Sequence, residues 1–287
     1  MIKRLALALL LLISTACYSS EEDVLAKLDD IQSRLVGFTY PVSMVTNGTY
    51  WTEGDNLNPA IPYRFFAKAN ANRIILFLHS WSGTMSQAPN DFPELAQMDR
   101  VVVVSPNFKG VNNTAQALGS DSSIDEIKAV VDRVKYLTGV INVDIIAYSG
   151  GTMAAMNFMG KYPGVVRRAS LYLPIFDLAL LYAGTSDNSL KNDMVAGLGA
   201  APVNDDDPIY VNRSPRARLL NSIGRATVYL NAGTLDTTSP KIHGEQAKAA
   251  IELHSPSAKV VYKEWNIGHA ITAAERAEMI RQITQTQ

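Results

Sequence analysis

Cysteine is almost absent: the 287-residue chain has one, Cys17. No internal disulfide can form, so stability must come from the packed core. Net charge is almost absent too, with 26 basic side chains against 27 acidic ones. That balance excludes the electrostatic footprint of a nucleic-acid binder. There is no internal repeat that would signal a solenoid, and no low-complexity linker divides the chain into two domains. The one pronounced apolar run, Leu5 to Ile13, has roughly half the ~20 residues that a helix needs to cross a bilayer, which argues against a lasting transmembrane segment. What is present is an ordinary globular composition, 47% hydrophobic, ample for a buried core.

Lys3 and Arg4 precede that apolar run, and Ser14, Thr15, Ala16 and Cys17 follow it. This is the pattern of a secretory signal peptide covering residues 1–16. Small residues directly before the single cysteine resemble a bacterial lipobox, which implies that Cys17 is lipidated and anchors the mature chain in the cell envelope, in the periplasm or at the outer membrane, as its only link to a membrane. The same residues leave open a plain signal peptide cut near Ala16, with Cys17 a free thiol in the periplasm or outside the cell. After a polar link, Val24, Leu28, Ile31 and Leu35 recur at helical spacing, predicting one short amphipathic helix within residues 17–38.

From residue 39 to 287 the pattern is that of one α/β domain. Apolar runs predict strands at Arg73 to Leu78, Val101 to Ser105, Val143 to Ala147, Ala169 to Leu173, Thr227 to Asn231 and Lys259 to Trp265. Several are continuous rather than alternating, which suits a mostly parallel sheet covered by helices on both faces. Helical patterns fall at Ser123 to Leu137, Gly151 to Lys161, Lys241 to Leu253 and Ala273 to Gln282. The stretch 184–215, rich in Asn, Asp, Gly and Pro, breaks the rhythm and reads as an excursion above the sheet, either lining a site entrance or simply solvated.

The chemistry concentrates where Asp144-Ile145-Ile146 runs into Ala147-Tyr148-Ser149-Gly150-Gly151 and then into the small residues Thr152 to Ala155. A strand that turns sharply into a helix of small residues forms a nucleophile elbow, with the Ser149 hydroxyl exposed at the sheet's carboxyl edge beside a helix N-terminus. A serine needs a base near neutral pH. Of four histidines, His269 lies just past the last expected strand and fits that role. His243 and His254 flank an expected helix and read as surface or packing residues. His79 closes a strand and reads as a loop anchor. The base needs a carboxylate, and Asp236 stands on the loop after the penultimate strand. Asp205 to Asp207 lie before that strand and Glu264 inside the next, so neither has the right address. For a developing oxyanion, the backbone N–H of Gly150 and that of Trp81, in His79-Ser80-Trp81-Ser82-Gly83, are the expected donors. The Trp81 indole is expected to wall an acyl pocket.

Through these residues, together with Ile61-Pro62-Tyr63-Arg64, Leu76-Phe77-Leu78-His79, Val104 to Gly110, Arg213-Ser214-Pro215, Gly233-Thr234-Leu235-Asp236 and Gly268-His269, the chain resembles the α/β-hydrolase superfamily. The closest likeness is to its prolyl-oligopeptidase-like and its polyhydroxyalkanoate-depolymerase or feruloyl-esterase-like branches. The resemblance implies the α/β-hydrolase fold and hydrolysis through an acyl-enzyme, without metal or cofactor. The sequence departs from the family at Ala147, where the elbow's first glycine is usual, at Ser80 after the histidine, and at Asn107 to Gly110. The activities to weigh are cleavage of small or polymer-linked carboxylic esters, peptidase or amidase action, and a surface lipoprotein that uses the fold only to bind.

Overall fold

A computed structural model describes residues 52–53 and 61–285. The expected signal peptide at 1–16, Cys17 and the expected helix within 17–38 lie outside the described residues. At the centre is an eight-stranded sheet formed by β1 (Thr52–Glu53), β2 (Tyr63–Ala67), β3 (Arg73–Leu78), β4 (Val101–Pro106), β5 (Val143–Tyr148), β6 (Val166–Tyr172), β7 (Thr227–Gly233) and β8 (Lys259–Trp265). Their order is β1-β2-β4-β3-β5-β6-β7-β8. β2 runs antiparallel to both β1 and β4, and every pairing from β4 through β8 is parallel.

The continuous apolar runs behave as the physics of a doubly covered sheet requires. β3, β4 and β5 are buried along nearly their whole length, each fully buried aliphatic side chain contributing about 1.5–3 kcal/mol by leaving water. β8 departs from the expectation: it is the edge strand, exposed or half-buried throughout. β6 also corrects the sequence reading, starting at Val166 and stopping at Tyr172. Leu173 turns out of the strand with a positive φ of 54°.

The helices cover both faces. On one, α1 (Gln87–Asp91), the turn Pro93–Gln97 and α9 (Ala273–Thr284) pack over Phe77, Ile146 and Tyr172 through Phe92, Leu95, Met279 and Ile283. On the other lie α2 (Asp121–Thr138), α3 (Gly150–Lys161) and α8 (Ile242–His254). Adjacent residues of β7 show the alternation: Asn231 hydrogen-bonds Gln282 of α9, while Ala232 lies beneath Gly244 of α8. α2 starts where the Ser120 hydroxyl accepts from the Ser123 N–H at 3.0 Å and ends at Gly139 in the left-handed region. Ile124, Ile127, Val131 and Val134 form its buried stripe. A capping box between Thr272 and Glu275 opens α9.

Between β6 and β7 the chain is helical rather than irregular. It forms α4 (Leu178–Gly184), α5 (Asn188–Leu198), α6 (Pro208–Val211) and α7 (Pro215–Arg218). Asp177, Asp187 and Asp207 each cap the helix that follows through a side-chain oxygen. These helices surround a cluster in which Trp81, Met153, Leu178, Leu190, Met194 and Tyr210 are buried.

Candidate active site

Ser149, Asp236 and His269 follow β5, β7 and β8 respectively, and Trp81 follows β3, so all four stand at the carboxyl edge of the sheet. Ser149 is forced into φ 51°, ψ −128°, a backbone region that costs a non-glycine residue about 1–3 kcal/mol and persists only where the surroundings hold it. The hold is visible: its N–H donates to Tyr172 O at 2.8 Å, and its carbonyl accepts from the Thr152 hydroxyl at 2.6 Å.

The two glycines after it are required by close approach. A Cβ on Gly150 would lie 2.6 Å from Trp81 N, and one on Gly151 would lie 2.2 Å from Leu78 O. Ala147, where a glycine is usual, is fully buried within β5 and accommodated there.

The Ser149 hydroxyl lies 2.8 Å from His269 Nε2, and His269 Nδ1 lies 2.8 Å from Asp236 Oδ2. Asp236 Oδ1 accepts from the Thr238 and Ser239 N–H groups at 2.8 and 2.9 Å. An acceptor-only carboxylate at Nδ1 makes that nitrogen the donor and leaves the lone pair on Nε2, facing the serine. The Asp236 side chain is 0% exposed and that of His269 is 23% exposed, so the carboxylate is dry while the ring reaches the mouth of the site. The two loops are tied together by Thr234 N–H to Trp265 O at 2.8 Å and Leu235 N–H to Ile267 O at 3.0 Å.

The backbone of Trp81 lies against Gly150, the residue after Ser149: a Cβ there would meet Trp81 N and Cα at 2.6 and 2.7 Å. Gly150 is the first residue of α3, where an N–H has no partner within the helix, and the Trp81 N–H meets no acceptor among the described residues. The Trp81 indole does not do what the sequence suggested. It is buried in the cluster under α5, and its Nε1 donates to Asp193 Oδ2 at 2.9 Å.

His79 is fully buried and stacked on Phe108, with Nδ1 3.0 Å from Ser80 O and Nε2 3.0 Å from Asn107 O. Burial pushes its pKa down, outweighing the two carbonyls that favour the charged ring. His254 is half-buried at the end of α8. Glu264 is exposed and paired with Lys241, and the Asp206 and Asp207 side chains serve Arg216 and the α6 cap.

His243 is no surface residue. It is fully buried, its Nδ1 accepts from the Phe176 and Asp177 N–H groups at 3.3 and 3.4 Å, and its Nε2 meets no partner among the described residues. Desolvation lowers its pKa from the usual 6.5 to about 4, against the pull of nearby Asp236. The folded state therefore excludes a proton that the unfolded chain binds below pH 6.5. Its contribution to stability is complete above that pH and is lost as pH falls from 6.5 toward 4. One such histidine should cost about 1.2 kcal/mol between pH 7 and 5.5, above the range in which the carboxylates titrate. Urea midpoints at the two pH values check this: His243→Gln should flatten the difference.

Two residues that shape the site gave no signal in the sequence. Gln87 bonds both Ser80 and Tyr148, and Asp193 holds the Trp81 indole. Both sit in polar stretches without periodicity. Among the described residues, no group of three or more His, Cys, Asp or Glu side chains is placed to hold a metal ion.

The topology and the elbow decide the architecture. The fold is that of the α/β-hydrolases. Solved α/β-hydrolase structures similar to this chain include an acylaminoacyl peptidase from Pyrococcus horikoshii, with TM-score 0.61 and 12% identity over 81% of this chain and 39% of that one. A puromycin-hydrolysing peptidase from Mycobacterium tuberculosis gives 0.64 and 16% over 80% and 38%. Oligopeptidase B from Leishmania major gives 0.61 and 10% over 81% and 35%. This chain thus spans about two-fifths of the length of those peptidases. No protein-family model matches the sequence, nor does any curated protein.

Proposed function

We propose that the protein is a serine hydrolase that cleaves carboxylic esters through an acyl-enzyme. The observation that carries this reading is the unbroken chain of hydrogen bonds from the Ser149 hydroxyl through His269 to Asp236, at 2.8 Å for each link. In this reading His269 Nε2 takes the Ser149 proton as the oxygen attacks the substrate carbonyl carbon. The carbonyl oxygen becomes an oxyanion and accepts from the Trp81 and Gly150 N–H groups, the second at the positive end of the 12-residue α3. Asp236 stabilises the resulting imidazolium. Collapse of the tetrahedral species breaks the bond to the alcohol oxygen, which takes the proton from Nε2. Water, deprotonated by the same nitrogen, then attacks acyl-Ser149, and the second tetrahedral species collapses by breaking the bond to Ser149 Oγ, which takes the proton back from Nε2 as the carboxylic acid leaves.

The second reading is amide or peptide cleavage by the same residues, and the similar structures favour it because all three are peptidases. An ester is chemically less demanding, since an alkoxide departs more readily than an amine, which must first be protonated. Beside the Trp81 loop runs a crevice of about 320 Å³ walled by Ser82, Thr84, Ser86 and Asn90 among others, which supports including hydroxylated leaving groups in the test. Purified protein should turn over short p-nitrophenyl and sugar esters and leave peptide anilides intact. Efficient anilide cleavage with negligible ester turnover would establish the second reading instead.

A further inference from the structure

An oxyanion hole is useful only if its two donors converge on one point before the oxyanion forms. The donors here come from different parts of the fold. Trp81 N–H belongs to the loop after β3, and Gly150 N–H to the first turn of α3. From the geometry we infer that Gln87 is the positioning residue that locks these two segments together, an inference that rests on the serine-hydrolase reading.

The Gln87 side-chain amide reaches both segments. Its Oε1 accepts from the Ser80 N–H at 2.6 Å, and its Nε2 donates to the Ser80 hydroxyl at 2.9 Å and to the Tyr148 hydroxyl at 3.0 Å. Ser80 immediately precedes Trp81, and Tyr148 immediately precedes Ser149. One planar amide thus fixes the residue before one donor and the residue before the nucleophile.

The rest of the loop is built to hold that amide. Gln87 is buried at the start of α1, its own N–H donating to Thr84 O at 2.9 Å. A Cβ on residue 83 would lie 2.7 Å from Gln87 Oε1, so Gly83 leaves the space that the amide fills. Around Trp81 the other polar groups are also committed. Its carbonyl accepts from the Asn112 N–H at 2.9 Å and its indole donates to Asp193. The backbone N–H is what remains.

The test compares wild type, Gln87→Met, which keeps the side-chain length and loses all three bonds, and Gln87→Glu. The carboxylate of Gln87→Glu can still accept from the Ser80 N–H and from the two hydroxyls. Removing an oxyanion donor costs about 10²–10³ in kcat, so displacing one should cost Gln87→Met about 10- to 100-fold in kcat on p-nitrophenyl acetate, with KM within about twofold. Affinity for an alkyl boronic acid, which forms a tetrahedral adduct with the serine, should fall in parallel. Gln87→Glu should recover most of both. Tyr148→Phe, which removes one bond and no backbone anchor, should show a smaller fall in kcat alone, so the inference stays testable if Gln87→Met folds poorly.

Wild-type kcat and boronate affinity in both Gln87→Met and Tyr148→Phe would overturn the positioning role. So would a parallel loss of kcat, KM and thermal stability that Gln87→Glu does not relieve. A wild-type protein that neither turns over ester nor reacts with a fluorophosphonate would remove the serine-hydrolase reading itself, and this inference with it.

Discussion

Ester turnover should fall by a factor on the order of 10⁴ to 10⁶ in Ser149→Ala and, separately, in His269→Ala. Each change removes the activated nucleophile by a different route. Without Ser149 there is no oxygen to acylate. Without His269 the Ser149 hydroxyl, nearly buried and 2.8 Å from Nε2, has no base to take its proton. Because the residues act as one unit, the double variant should be little worse than either single one, whereas independent contributions would multiply. Steady-state kinetics on one p-nitrophenyl ester, with circular dichroism to confirm folding, check all three variants. Ser149 is held in its strained conformation by backbone contacts to Tyr172 and Thr152, so its replacement should leave the fold intact.

The second large effect belongs to Asp236→Asn, expected to lower kcat by a factor on the order of 10³ to 10⁴. The surroundings explain why an almost isosteric change does so much. The Thr238 and Ser239 N–H groups both aim at Oδ1 and would keep the amide oxygen of the variant on their side. The amide NH₂ would then face His269 Nδ1, which can meet it only as an acceptor. The ring proton moves to Nε2, which can no longer take the proton of Ser149. Thermal stability should change little, since no backbone donor loses its partner. A loss in kcat with an unchanged melting temperature is therefore the expected signature, and near-normal turnover would move the acid role to another carboxylate.

How far the sequence carries depends on what kind of interaction sets each feature. β3 and β8 have the bounds that their apolar runs predicted, α2, α3 and α9 extend only a residue or two beyond theirs, and α8 is shifted by one residue. Hydrophobic period governs such elements, and period is local. β2 is not among the strands read from the sequence, since Tyr63–Ala67 is short and draws its pairing from β1 and β4. α5 was hidden because Asn188, Ser189, Asn192 and Asp193 give it a loop-like composition. It is made by the Asp187 cap, the left-handed Gly199 stop and a thin buried stripe at Leu190 and Met194. The positions of Ser149, Asp236 and His269 after their strands could be read because topology fixes the carboxyl edge as the place where loops converge. Gln87 and Asp193 could not be read, and the choice between surface and packing could not be made for His243, because their partners are non-local backbone and side-chain groups that leave no periodic trace.

The most direct test of the serine-hydrolase account is covalent labelling with a fluorophosphonate, followed by intact-mass measurement and peptide mapping. The wild-type protein should gain one phosphonyl group on Ser149, Ser149→Ala should gain none, and His269→Ala should react far more slowly. Failure of the folded wild-type protein to react, or equal labelling of Ser149→Ala at another residue, would contradict it.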